Sequence, residues 1–490
     1  DALVGSDAIG SFIQISERIS GSGNGGGFYE VVTSNPSFNL VNPVRVDGEY
    51  LKLNLSLTRM SFYHAGAVGD GSTVDTTACQ EVIDYLASVN GGTIYQESGT
   101  FKCNLLWKSR VFYIAATPLV KLIPAVNANV IGITAATSVV QFGWHNLTIE
   151  GDITFAAQDG INLETTGSGK FVDQVLMSGV SRITLCGNRG LFLGGTSTAG
   201  PFVQGFVQTG TLRVEANTVS NLVIDGSVIE TSFEHVGGGG LTTGPNVDLV
   251  GGASRGTPKN TKFGLLFMGG QIQAGQIGVQ IDGCKSLHFD VLSIESVDIL
   301  LKFSDNIFNQ NISIDNLSLT TIQTSTDAID FRRVKNLVIG TGLVSTAGSG
   351  SFVNGFNFSN SGMNSVPMPK GLDNVTFSGT ITTPRNQTTL TFQGIVSDTV
   401  DRQMPTFRVT PESGSGTDDL KTIYDDSGNS VTDNLSIGDM VTIRGFNGKV
   451  TTLKHGTGNL YLIGAADVVL SSENDLARLE WDGQSTWRQV

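Results

Sequence analysis

A five-residue pattern of alternating apolar and polar positions recurs through the middle of the chain. Asn221-Leu222-Val223-Ile224-Asp225 aligns with Ser286-Leu287-His288-Phe289-Asp290 and with Asn311-Ile312-Ser313-Ile314-Asp315. Asn336-Leu337-Val338-Ile339, Asn374-Val375-Thr376-Phe377 and Asn146-Leu147-Thr148-Ile149-Glu150 extend the series. Arg182-Ile183-Thr184-Leu185 and Lys262-Phe263-Gly264-Leu265 are weaker members. The apolar second and fourth residues point one way and the third and fifth the other, which is the period of a strand. The starts at 286, 311 and 336 are spaced by 25, and the gap from 221 to 262 is wider at 41. A period in the twenties with occasional insertions predicts a solenoid. Its coils stack about 4.8 Å apart and pair every backbone group in parallel ladders. Asn at the first position suits a turn, because it tolerates left-handed φ and bonds its own backbone. Leucine-rich repeats share such periodicity, but the glycine use, the β-branched residues and the missing helix pattern favour a β-helix.

Ahead of the repeats, Tyr63-His64-Ala65-Gly66-Ala67-Val68-Gly69-Asp70-Gly71 is a run of glycine turns. Asp75 or Thr76 can cap a helix whose apolar positions Cys79, Val82, Ile83 and Leu86 follow helical spacing. Such a helix would cover the open end of the solenoid, whose bare strand edges would otherwise recruit other chains. The glycine-rich stretch Ser20–Gly27 predicts a turn, and Tyr50–Leu55 alternates like a strand. Beyond about residue 400 the pattern changes to short strands such as Met440–Arg444 and Val450–Lys454, which predicts a small antiparallel β-sandwich. The expected organisation is an N-terminal neck or cap region over 1–60, a parallel β-helix over 61–400 and a C-terminal module over 401–490.

Composition agrees with an all-β chain. Sixty-two Gly against 12 Pro, with 15% charged residues, suits many short strands joined by tight turns. No apolar run is long enough to predict a membrane span. The net charge of −14 argues against a nucleic-acid partner, and an acidic substrate would need a local basic patch. Cys79, Cys103, Cys186 and Cys284 lack both close pairing and metal spacing and read as buried thiols, so neither a metal nor a cofactor is expected. The absence of an initiator Met at Asp1 reads as a start inside a longer protein.

The block Gly66-Ala67-Val68-Gly69-Asp70-Gly71, Asp75-Thr76, Ala78-Cys79-Gln80, Ile83-Asp84, Gly91-Gly92 and Gly99-Thr100-Phe101 resembles the entry motif of pectate-lyase-like right-handed β-helices, typical of bacteriophage tailspike depolymerases. Val74, Cys79 and Glu97 depart from that motif, where the family has Asp, Ile and Pro. Leu453–Asn459 and Trp481-Asp482-Gly483 look like terminal modules of phage tail proteins. The resemblance implies a homotrimeric virion protein that binds and cuts bacterial surface polysaccharide, capsule or O-antigen. It would act outside the host cell and join the phage tail through a segment preceding this sequence.

Glycoside hydrolysis needs two carboxyl groups flanking the bond. In the repeat alignment the fifth position stacks Asp225, Leu266, Asp290 and Asp315, and the tenth stacks Glu230, Gln271, Glu295 and Thr320. Glu230 and Glu295 would then be two rungs, about 9.6 Å, apart, against about 6.5–9.5 Å in inverting enzymes. Asp290 and Asp315 would be one rung apart, nearer the retaining separation of about 5–5.5 Å. Glu230, Glu295, Asp225 and Asp290 are therefore the expected catalytic residues. Glu234, His235, Arg255, Gln271 and His288 are expected on the substrate, with Lys259 beside Arg255 to neutralise an acidic sugar. Gly237–Gly240 reads as a loop beside them, and Trp107 and Trp144 read either as sugar platforms or as core. Three other readings remain: a lyase using a Lys, Arg, His or Tyr base, a non-catalytic receptor-binding spike, and a secreted bacterial polysaccharide-degrading enzyme.

Overall fold

A computed structural model of the chain describes residues 9–17, 25–38, 41, 49–53, 59–133, 137–165, 169–195, 202–240, 242–252, 256–269, 276–303, 309–321, 324–330, 334–346 and 351–357, with short strands and turns between 375 and 490. Two compact units, Asp1–Gln271 and Ile272–Val490, make up the chain, and each is described by itself.

The first unit opens with the capped end of a solenoid. The helix Thr76–Ser88 buries Cys79, Val82, Ile83 and Leu86, as their spacing predicts. Asp75 stands at its N-cap position but does not cap it. Its carboxylate instead accepts hydrogen bonds from Val68 N at 2.7 Å and Gly69 N at 3.0 Å, which closes the glycine turn. Gly69 and Gly99 lie against Tyr63 and Phe101, where added Cβ atoms would crowd the rings. The entry motif thus acts as a cap.

Past the cap, parallel strands stack coil upon coil. One sheet runs through Val139–His145, Phe171–Ser178, Phe202–Glu215, Val228–Gly239 and Lys259–Gly269. The opposing sheet runs through Ile131–Ile133, Ile161–Thr165, Arg189–Gly195, Ser220–Gly226 and Val247–Val250. Gln141, Gln174, Gly205, Glu230 and Asn260 occupy one register position on the first sheet, all with φ between 54° and 63°. This left-handed residue recurs once per coil and bends each strand at the same point. Asn217, Asn221 and Asn246 form a buried stack, with Asn217 Nδ2 donating to Asn221 Oδ1 at 2.9 Å and Asn221 Nδ2 to Asn246 Oδ1 at 2.7 Å. Asn221 is therefore an interior ladder residue instead of the expected turn residue. Trp107 and Trp144 are core residues, 1% and 2% exposed. The four cysteines are free and buried, and burial raises the Cys79 and Cys186 thiols above their ordinary range.

In the second unit the strands Lys285–Glu295, Asn309–Thr321 and Val334–Thr346 pair in parallel, with Leu287 beside Ile312 and Ile312 beside Leu337. The 25-residue step holds without slippage. An opposing sheet stacks Ile277–Asp282, Ile299–Phe303, Thr324–Asp330 and Ser351–Asn357. Towards the C-terminus the strands form separate small sheets. One runs through Asp401–Gln403, Thr406–Arg408, Met440–Arg444, Leu476–Trp481, Trp487–Gln489 and Leu460–Tyr461, and another through Thr417–Leu420, Val450–Leu453 and Val468–Leu470. Antiparallel pairs such as Met440–Arg444 with Leu476–Trp481 are joined by parallel ones such as Thr417–Leu420 with Val450–Leu453. Among the described residues no helix is long and apolar enough to cross a membrane.

Candidate active site

On the strand Lys285–Glu295, alternation buries Leu287 and Phe289 and turns His288 and Asp290 outward. The next strand repeats the pattern, with Ile312 and Ile314 inside and Ser313 and Asp315 outside. Because His288 pairs with Ser313 and Phe289 with Ile314, Asp290 and Asp315 come to adjacent rungs at the same position. His288 Nε2 lies 2.6 Å from Asp290 Oδ1 and 3.7 Å from Asp315 Oδ2. His288 Nδ1 is hydrogen-bonded to Ser313 Oγ at 2.6 Å. The side chains of His288, Asp290 and Asp315 are 36%, 39% and 57% exposed, so the cluster is open to a large substrate.

Below the cluster the backbone is stitched in place. Asn316 Nδ2 donates to the Asp290 carbonyl at 3.1 Å, and Thr341 Oγ1 donates to Asn316 Oδ1 at 3.0 Å. On the third rung Val338 lies beside Ser313, and Gly340 follows Asp315 in register without a side chain to cover it. His288, Asp290 and Asp315 also form the one group among the described residues that brings three metal-type donor atoms within 4.8 Å. In the present arrangement the His288 nitrogens are taken up by hydrogen bonds to Asp290 and Ser313.

The remaining sequence candidates separate. Asp225 is a correction: it lies on the opposing sheet of the first unit, 8% exposed, in a strand buried along its whole length. The five-residue motif occurs on both sheets, because both turn alternate apolar residues inward, so the alignment of Asp225 with Asp290 mixed two faces of the coil. Glu230 is exposed and sits at the left-handed bend, where Gln204 Nε2 donates to its Oε2 at 3.0 Å. Its neighbour on the following rung is Asn260, because Thr231 pairs with Thr261, so the expected stacking of Glu230 with Gln271 is corrected. Gln271 and Arg255 themselves lie outside the described residues. Glu230 belongs to the first unit and Glu295 to the second.

Glu295 is exposed and stacks beside Thr320, as the repeat predicts. Five residues along an extended strand place it roughly 16 Å from Asp290. Glu234 and His235 close a bulge. Glu234 Oε2 accepts from Gly210 N at 2.6 Å, and the amides of both residues donate to Gln208 Oε1 at 3.1 and 3.2 Å. Lys259 is exposed beside Ile229. Gly237–Gly239 belong to the strand Val228–Gly239, which corrects the expected loop. Ser313 is the site residue the candidate set lacks; its position as the third residue of the unit, shared with His288, was the available signal.

No family model and no curated protein matches the sequence. Among solved structures, the chain is similar to a tailspike protein of Acinetobacter baumannii bacteriophage Fri1, described as a capsular polysaccharide depolymerase. That likeness has 14% identity and a TM-score of 0.45, over 76% of this chain and 72% of that one. It is also similar to the enzymatically active domain of tailspike protein 2 of bacteriophage CBA120, at 14% identity and a TM-score of 0.47 over 99% and 77% of the two chains. A mannuronan C-5 epimerase module from Azotobacter vinelandii follows at 13% identity and a TM-score of 0.33, over 67% of this chain and all of that module.

Proposed function

We propose that this chain is a phage tailspike depolymerase that binds bacterial surface polysaccharide, capsule or O-antigen, and hydrolyses glycosidic bonds within it. The observation that carries the reading is the stacking of Asp290 and Asp315 on successive rungs beside His288. The rung spacing of about 4.8 Å is close to the about 5–5.5 Å between carboxyls of retaining glycosidases. Asp290, oriented by His288, attacks the anomeric carbon, and Asp315, the more exposed of the two, protonates the leaving oxygen. Asp315 then activates the water that releases the product.

The entry motif and the solenoid support the tailspike part of this reading, which carries with it a homotrimer mounted on the virion and acting at the host surface. Leu176 and Val207 support a packing partner in the first unit. They stack in register on adjacent rungs, 42% and 38% exposed, near Val180 at 50%.

The test is incubation with a panel of purified capsules and O-antigens, followed by size-exclusion chromatography and mass spectrometry of the products. New reducing ends without an unsaturated chromophore support hydrolysis. An unsaturated product assigns a lyase, and tight binding without a fall in polymer mass assigns a receptor-binding spike.

A further inference from the structure

The carboxylate pair leaves one feature of the cluster unused, the short hydrogen bond between His288 Nδ1 and Ser313 Oγ. Together with the bond from His288 Nε2 to Asp290 Oδ1, it places a hydroxyl, an imidazole and a carboxylate in one line, each contact 2.6 Å long. This is the order of groups that activates a serine: the carboxylate fixes the tautomer, and the other ring nitrogen takes the hydroxyl proton. We propose that Ser313, His288 and Asp290 form an esterase relay that removes short O-acyl groups from a polysaccharide. The inference rests on the proposed function only for the polymer that carries the ester.

The chemistry balances without any further reactant than water. With the proton of His288 on Nε2 and donated to Asp290, Nδ1 accepts the Ser313 proton as Oγ bonds to the acyl carbon. The imidazolium so formed faces two carboxylates, Asp290 at 2.6 Å and Asp315 at 3.7 Å. Collapse of the tetrahedral adduct breaks the bond between the acyl carbon and the sugar oxygen, and that oxygen takes the proton from Nδ1. Water then attacks the acyl-serine, passes a proton through Nδ1 back to Oγ, and releases the carboxylic acid. The surroundings suit a short acyl chain. On the rung beyond Ser313 lies Val338, 44% exposed, an apolar contact for an acyl methyl group. Gly340, in register with Asp315, packs its backbone against the Asp315 carbonyl, where an added Cβ would come within 2.6 Å.

The test uses the full chain with two small probes, so it does not depend on finding the right polysaccharide. Phenylmethylsulfonyl fluoride should modify Ser313, located by peptide mass mapping, and Ser318 on the same strand should stay unmodified. p-Nitrophenyl acetate should be hydrolysed at a rate that falls ~100-fold or more in Ser313→Ala and in His288→Gln. Labelling of the unaltered chain needs no variant to fold, and a Ser318→Ala control should keep both the label at Ser313 and the hydrolysis. An unmodified Ser313, or a Ser313→Ala chain that hydrolyses the ester as fast as the parent, overturns the relay. Asp290 and His288 serve both reactions and Ser313 only the ester, so depolymerisation measured in parallel on Ser313→Ala separates the relay from the carboxylate pair.

Discussion

Asp290 and Asp315 stand at one register position on successive strands, held there by the pairing of Phe289 with Ile314 and of Val291 with Asn316. Their backbones cannot move apart without breaking the ladder, so the separation of the two carboxyls is set by the fold. If they are the acid and the nucleophile, Asp290→Asn and Asp315→Asn should each lower depolymerisation by about 10²–10⁴-fold. Glycan binding and the melting temperature should stay near the parent values. Proton NMR of the first product should show retention at the anomeric carbon. Inversion would contradict the one-rung spacing, and full activity in both variants would move the cutting site elsewhere.

That pair was legible because residues 286–290 and 311–315 lie on equivalent strands a constant 25 residues apart. The helix at 76–88 and the left-handed Asn146 and Asn311, with φ 54° and 56°, were legible from local rules, the helix from its apolar spacing and the asparagines from their tolerance of that backbone region. Asp225 was not. The unit Asn221–Asp225 has the same alternation as Ser286–Asp290, and a five-residue pattern carries no mark of which sheet it joins. Coil length also varies: Thr231 pairs with Thr261 at a step of 30, which the repeat read as Glu230 to Gln271 at 41. Ser313 failed to stand out because a serine gains catalytic meaning only from the imidazole across the ladder.

The cap offers a test of stability and its sign with pH. Asp75 is buried, and desolvation raises its carboxyl above the ordinary value of 3.8, against the opposing pull of the Val68 and Gly69 amides. The folded chain therefore holds the Asp75 proton more tightly than the unfolded one. This contribution to stability is complete below the unfolded value and is lost as pH rises through the folded value. Asp75→Ala strands two amide donors and should cost about 2–5 kcal/mol. In denaturant titrations, the gap between parent and variant should narrow as pH rises above about 4. A gap that widens with pH would assign the opposite shift.

An ion pair between a buried carboxylate and a partly exposed arginine joins two coils of the first unit. Arg189 Nη2 lies 2.7 Å from Asp159 Oδ2, and Asn162 and Asn188 donate to the same carboxylate, whose side chain is 2% exposed. Arg189→Ala leaves that charge without its cation and should cost about 3–5 kcal/mol. Asp159→Asn with Arg189→Met should recover much of the loss, since the pair's value lies largely in not leaving one partner alone. Chemical denaturation of the single and double variants measures both, and an unchanged Arg189→Ala midpoint would show that the asparagines suffice.

The glycines from 237 to 239 lie within the strand Val228–Gly239, and their neighbours differ sharply. At Gly237 an added Cβ would find nothing closer than His235 Nε2 at 3.9 Å. At Gly238 it would overlap the Val214 carbonyl oxygen, and at Gly239, whose φ is 152°, the Gly269 carbonyl oxygen. Both obstacles are backbone in the adjoining rungs, which shift only if the ladder shifts. Gly237→Ala should therefore be tolerated, with a change in melting temperature of about 2 °C or less. Gly238→Ala and Gly239→Ala should each destabilise by about 1–3 kcal/mol or more through forced displacement of the strand. Thermal melts of the three variants decide the matter: equal effects at all three positions would mean that the glycines serve chain flexibility, as a loop would require, instead of close stacking between coils.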